Sequence, residues 1–542
     1  MSTRKVRNLP ARRTREIKRQ IVTNPSKGLN NLGSPNLIDD KEWADLQNIE
    51  FDENGVARKR MGYKTYAASL TAGVGLGTLK TETLSHVCTI DGTEFKYTTG
   101  VSWTTVGSVA FSVSDMVSFT QAKGKLFVWN GINGGTYWDG TTLTRPGTAP
   151  KAKFSIYYSS YQIAAGVPEQ VNRIYISTLT DISDFTNVSG DSSGLDNTTE
   201  VPGATVFAGT GANYIDIQKE DGDKIVALGV FQDVVIIYKQ YSTYQLTLDA
   251  SGSPSVVPIT KAAGSVASRS VQAVENDLFS LSKEGVRSLG NEANFFSAIR
   301  TNILSKKVDS LIKAMLPSAY EKSCGIYFNN QYLLSIPNSG GSFNDVLVYN
   351  KLFQSWSRWT DLDVASFCKV VDTNNQEKLL FLKSDGTQVY EFTPGVYNDD
   401  GAAIDAYMLS KVFDFKNPDI TKYFVDLGLM FRTISGEMTL TVYTEGDVLF
   451  GGAVGLAGNT VADGMGYSVM GYTMLGLGGG DSSGISTYAD IVKRIAINTN
   501  STTIRFKIAN ARVNENFVLL GYIHAFYPYG HYLFNSSNKI YL

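Results

Sequence analysis

The residues of this chain best suited to chemistry are few and scattered. The 542 residues hold three histidines (His86, His524, His531) and three cysteines (Cys88, Cys324, Cys368), the cysteines far from one another. Zinc sites draw on two or more Cys/His pairs at short spacings, and no CxxC or set of that kind is present. His86 precedes a β-run, while His524 and His531 fall in an aromatic C-terminal stretch with no nucleophile elbow beside them. Paired carboxylates such as Asp399/Asp400 sit in turn sequence, where water is expected to solvate them. The run Gly476-Leu477-Gly478-Gly479-Gly480-Asp481 lacks the Lys-Ser/Thr and the strand–helix setting of a phosphate loop. The expectation is structural histidines, three buried free thiols, no metal, no cofactor and no catalytic group.

Two other groupings point to contact rather than catalysis. The formal net charge is −2, yet residues 1–20 carry Arg4, Lys5, Arg7, Arg12, Arg13, Arg15, Lys18 and Arg19 against the single acid Glu16. The rest of the chain holds 41 basic and 50 acidic residues, so a basic arm is attached to an acidic body. The arm could lie on phosphate, releasing counterions, dock into an acidic protein groove on assembly, or simply be a solvated tail. Protein docking is the preferred reading, and Arg12 to Ile21 could form a short helix. Residues 450–487 combine twelve glycines with Met465, Tyr467, Met470, Tyr472 and Met474. Such a segment is too glycine-rich to hold its own core. Its adaptable apolar side chains suit a gate or a contact loop.

The elements that would carry these groups are strands. With 51 Gly, 29 Tyr and 27 Phe, the composition matches many short strands and tight turns. An acid- or Asn-Gly turn followed by an aromatic strand recurs, at Asn54-Gly55, Asp91-Gly92, Asn133-Gly134, Glu284-Gly285 and Asp385-Gly386. These units return about every 40–60 residues, near the spacing of propeller blades. Ile225-Val226-Ala227-Leu228 and Val234-Val235-Ile236-Ile237 are apolar without alternation, so both strand faces must be covered. Blades stacked around an axis cover both faces, whereas a buried parallel sheet would need crossover helices. The one helix-like pattern runs from Ile303 to Leu316.

The reading is therefore all-β. Residues 1–43 form the basic arm and an irregular lead-in, 44–395 a β-propeller of about six blades, and 396–542 a β-sandwich-like domain interrupted at 450–487. Met1 leads into charge, so no secretory signal is expected. The most apolar stretch, Ile225 to Tyr238, is broken by Gln232 and Asp233 and falls short of the ~20 residues a membrane span needs.

Several words, in order, carry a resemblance. They are Asn48-Ile49-Glu50-Phe51-Asp52-Glu53-Asn54-Gly55 with Arg60-Met61-Gly62-Tyr63, and Asn172-Arg173-Ile174-Tyr175-Ile176-Ser177 with Asp181 and Phe185. Gly222-Asp223-Lys224-Ile225, Gly264 to Arg269-Ser270, Ser282 to Arg287 and Val346-Leu347-Val348-Tyr349 with Trp356 follow. Over residues 44–392 the chain resembles the β-propeller tail nozzle, hub or "stabilisation" proteins of short-tailed bacteriophages. The resemblance implies a homo-oligomeric ring, commonly a hexamer, below the portal and adaptor. It also implies DNA passing through the enclosed channel, attachment of fibres, spikes or a plug, and a place in the virion tail after assembly in the host cytoplasm. An acidic wall would let that DNA slide without strong phosphate binding. The alternative is a carbohydrate-recognising or carbohydrate-cleaving tail protein. For the cleaving form, the nearest words to a sialidase Asp box, Ser384-Asp385-Gly386-Thr387 and Ser282-Lys283-Glu284-Gly285, lack its spacing and its Trp.

Overall fold

The computed structural model describes residues 16–107, 109–186, 196–197, 213–218, 221–248, 254–291, 299–372, 374–432, 437–445, 447–455 and 490–528. Its first body is a propeller whose blades are each built on four antiparallel strands, blade 3 adding the short parallel strand Asp196–Asn197 at its outer edge. Blade 1 runs from Gly73–Lys80 to Thr104–Val106, blade 2 from Ser118–Ala122 to Leu143–Thr144, and blade 3 from Phe154–Tyr158 to Asn213–Ile217. Blade 4 runs from Ile225–Phe231 to Pro254–Thr260, blade 5 from Gln272–Val274 to Ile299–Ile303, and blade 6 from Cys324–Phe328 to Ser355–Trp359. Blade 7 starts at Val364–Val371 and takes its fourth strand, Tyr63–Thr65, from ahead of blade 1. Inner strands of successive blades are neighbours, and that of blade 7 lies against that of blade 1. The ring is closed. Spacing along the chain suggests about six blades; the topology has seven, because the last is assembled from both ends of the propeller sequence.

Two-residue turns join the inner strands of blades 2, 3, 4 and 6, at Lys123-Gly124, Ser159-Ser160, Gln232-Asp233 and Asn329-Asn330. Both residues of each turn have positive φ. That backbone matches the right-handed twist of the flanking strands. Blade 4 shows why its sequence is apolar without alternation. Ile225, Leu228, Val235 and Ile237 pack toward blade 3, in one cluster with Ile163 and Ile174. Ala227, Phe231, Ile236 and Tyr238 face the other way, onto Leu278 and Leu289 of blade 5. Each such side chain contributes roughly 1.5–3 kcal/mol when fully buried, so stacking the blades drives the fold.

The second body is a sandwich. One sheet places Ile49–Phe51, Ala57–Lys59, Val518–Tyr527, Lys422–Arg432 and Asp490–Ser501 side by side, with Lys18–Thr23 also on Val518–Tyr527. The other continues blade 6 without a break: Ser355–Trp359, Trp43–Gln47, Ala406–Ser410, Arg505–Asn510, Glu437–Thr444, Asp447–Gly455. Alternate residues (Phe424, Leu440, Phe506, Ile508, Tyr522) fill the space between, around Trp43, which is 1% exposed.

Besides the blade count, four expectations change. Asp399 is buried on Arg60 and not solvated as its turn sequence suggests. The boundary placed at residue 44 moves, because the hairpin around Asn54-Gly55 and the strand Trp43–Gln47 pair with C-terminal strands and belong to the sandwich. The helix expected over Ile303 to Leu316 shrinks to a 3-10 turn, Ser305–Val308, and one α-turn, Asp309–Lys313. Ile303 is taken by the outer strand of blade 5, and Pro317 begins the next turn, although Val308, Ile312 and Met315 are buried as the periodicity requires. The described part of Arg12 to Ile21 is extended from Lys18 onward, not helical.

Candidate functional site

The basic arm divides in two. Arg4, Lys5, Arg7, Arg12, Arg13 and Arg15 lie outside the described residues, whereas Lys18 and Arg19 open an edge strand paired antiparallel to Val518–Tyr527. Both side chains are exposed. Beside them a cleft of about 350 Å³ gathers Lys411, Lys416 and Lys422 with Asp40 and Asp414. Lys411 is held on Asp40 at 2.9 Å, and the buried Lys422 ammonium donates to the carbonyls of Asn417, Ile420 and Thr502. Loss of water lowers the Lys422 pKa. The described end of the arm is thus a strand on its own chain, with Lys18 and Arg19 in a predominantly basic groove.

Met465, Tyr467, Met470, Tyr472 and Met474 lie outside the described residues. The strands flanking them are described. Asp447–Gly455 ends one sandwich sheet and Asp490–Ser501 ends the other, each paired on one side only among the described residues. These edges expose Val448 (63%), Leu449 (41%) and Val492 (47%). An open edge with apolar side chains is a template for another chain.

A cavity of about 440 Å³ lies at the seam of blades 6 and 7 with the 49–59 hairpin, near Glu50, Asp52, Arg58 and Trp359. Its carboxylates serve the fold. Burial raises the Glu50 pKa, and Arg58 holds that carboxylate at 2.7 Å; Asp52 accepts from the amides of Asn54 and Val56 in its own turn. His524 is enclosed by Phe413, Phe415, Phe506 and Tyr522, neither ring nitrogen has a partner, and burial pushes its pKa down to about 3. His86 packs on Tyr97 and Trp138, and burial likewise lowers its pKa. Cys88, Cys324 and Cys368 are buried and unpaired, and burial raises all three thiols, Cys324 to about 11 and Cys368 to about 12. No group of three or more His, Cys, Asp or Glu among the described residues is placed to hold a metal. None of the described helices is long and apolar enough to cross a membrane.

Sequence reasoning missed two features. Two Gly-Asp-Ser-Ser-Gly words, at 190–194 and 480–484, fit the Gly-x-Ser-x-Gly spacing, and both lie outside the described residues. The second feature is the propeller axis, a cavity of about 240 Å³ to which every inner strand or its approach contributes: Leu76, Ser118, Ser155, Leu228, Gln272, Gly325 and Ser366. Hydroxyls stitch its wall, with Ser118 donating to the Lys153 carbonyl, Thr120 to that of Ser155, and Ser366 accepting from the Leu76 amide. Arg269 and Ser268 reach it from the short turn Ser268–Ser270 that leads into blade 5. No linear motif marks an axis built from seven separate segments.

No family model matches the chain, and no curated protein does either. Among solved structures, the extracellular domain of a putative one component system, BT4673 from B. thetaiotaomicron, is 8% identical with a TM-score of 0.41. The match covers 67% of this chain and 43% of that one, so this chain spans less than half of it. The WD40 β-propeller domain of Doa1 gives 10% identity and a TM-score of 0.36, over 62% of this chain and 97% of its own. BamB from Moraxella catarrhalis gives 8% and 0.31, over 59% and 94%. Likenesses at this level say nothing of activity; the chain is an all-β propeller joined to a sandwich by virtue of its own strand pairing.

Proposed function

We propose that this chain is a non-enzymatic structural protein of a short-tailed bacteriophage tail, a nozzle or hub whose copies form a ring around the DNA exit channel. In that reading the ring joins the adaptor and portal side to fibres, spikes or a plug. The observation that carries it is the pair of open sandwich edges, Asp447–Gly455 and Asp490–Ser501, with exposed Val448, Leu449 and Val492 at the two ends of the 450–487 segment. A rigid body with apolar open edges suits repeated docking of neighbours better than turnover of a small substrate. The lumen would lie between copies. The axis of one propeller, at about 240 Å³, has no room for a duplex whose major groove alone is about 12 Å wide.

The sequence resemblance supplies the phage setting, and the segment carrying Met465 to Met474 supplies the gate or contact loop. The carbohydrate-cleaving alternative draws little support from the cavity beside the 49–59 hairpin, where Glu50 and Asp52 are bonded into the hairpin. Val448→Lys with Val492→Lys puts charge on both edges without entering the core. Sedimentation should then show smaller assemblies with unchanged secondary structure, and full-sized assemblies would refute the edges as the docking surface.

A further inference from the structure

The propeller axis holds an arginine that no acid among the described residues pairs with. Arg269 extends from the turn Ser268–Ser270, and its Nη2 donates to the Lys322 carbonyl at 2.7 Å. Its Nε is enclosed and has no acceptor, and neither has the enclosed Ser268 hydroxyl. Among the described residues no carboxylate lines the axial cavity. Burial lowers the Arg269 pKa, and the only group opposing it is the Cys324 thiol. Arg60 and Arg173 show the usual solution in this chain, each locked onto an aspartate by two bonds. Arg269 as a whole is half-buried, but its Nε is enclosed, and an enclosed donor without an acceptor calls for an ion or a water.

The mount is rigid. The Ser270 hydroxyl donates to the Ala267 carbonyl at 2.7 Å and accepts from the Leu281 amide at 3.0 Å, while the Tyr332 hydroxyl donates to the Ser270 carbonyl at 2.8 Å. The guanidinium is thus presented to the cavity by a turn fixed to blades 5 and 6. A planar fork with a free Nε–H suits two oxygens of one anion, and the volume limits that anion to a small one.

We propose that the axial cavity is a binding site for a small free oxyanion, inorganic phosphate or sulfate, held by Arg269 with Ser268 as a second donor. The anion neutralises the axis and ties blade 5 to its neighbours around the ring.

The test is titration of the full chain with inorganic phosphate at constant ionic strength, read by calorimetry and by thermal midpoint, with chloride as control and sulfate as a second probe. The expected result is saturable binding with a millimolar or tighter Kd and a rise in midpoint that chloride does not give. R269K keeps the charge but loses the fork and should weaken binding about tenfold, one hydrogen bond of ~1.4 kcal/mol; S268A should weaken it severalfold, and R269Q should abolish it. Near-UV circular dichroism establishes folding; should R269Q fail to fold, R269K and S268A decide. Absence of saturable binding in the wild-type chain, or binding left unchanged in both R269K and S268A, overturns the proposal.

Discussion

Arg60 and Asp399, 339 residues apart in sequence, form a bidentate ion pair with N–O distances of 2.8 and 2.6 Å at the joint between the two bodies. Arg60 leaves the sandwich strand Ala57–Lys59, and Asp399 lies beside Tyr63 of blade 7. The Arg60 side chain is fully buried, and its Nε donates to Asn48 Oδ1 at 2.9 Å.

Removing one partner leaves the other charged in a dry site. Arg60→Ala should cost about 3–5 kcal/mol in urea unfolding. Replacing both, as Arg60→Met with Asp399→Leu, should recover much of that loss, since an apolar pair of similar volume is often neutral. A single substitution costing under ~1 kcal/mol, the range of an exposed pair, would contradict the pair's structural role.

Because blade 6 and the sandwich share one sheet through Trp43–Gln47, the two bodies should unfold together. Trp43 packs edge-on against Phe506 and Tyr522 and donates Nε1–H to the Pro25 carbonyl at 2.9 Å. Trp43→Ala should cost about 3–5 kcal/mol and keep a single calorimetric transition. Two separated transitions in the wild-type chain would show that the shared sheet does not couple them.

The ring is closed by a short strand, so the clasp is its weak point. Gly62, just ahead of that strand, approaches the Asn398 carbonyl so closely that an added Cβ would lie 1.9 Å from its oxygen. Gly62→Ala should therefore open blade 7. Amide exchange should quicken over Val389–Phe392 while blades 3 and 4 keep their protection.

His524 predicts a pH dependence of defined sign. Above its ordinary value of 6.5 the ring is neutral in the folded and unfolded chain alike. Between 6.5 and about 3 only the unfolded chain takes the proton, so acidification favours unfolding. The slope from this group is at most about 1.4 kcal/mol per pH unit. His524→Phe should flatten stability between pH 6.5 and 5; an unchanged slope would contradict the buried neutral ring.

What could be read from the sequence was what is local. Two-sided apolar runs such as Ile225–Phe231 announced stacked blades, and Asp-Gly and Asn-Gly words marked hairpin turns. Partnerships across the chain left no such trace. Tyr63–Thr65 gives no sign that it pairs with Val389–Phe392, and Trp43–Gln47 reads as an ordinary strand while joining two bodies. Both misplacements, the blade number and the domain boundary, come from those two strands. Arg269 stayed silent for a related reason: its lack of a counter-charge is a property of the axis, which exists only after seven segments have met.

The central claim is that copies of this chain surround a channel. Negative-stain microscopy of the purified full-length protein tests it most directly. The account predicts closed rings of several copies around a lumen wide enough for a DNA duplex. A uniform population of single propeller–sandwich particles, at concentrations where the open edges could meet, would contradict it.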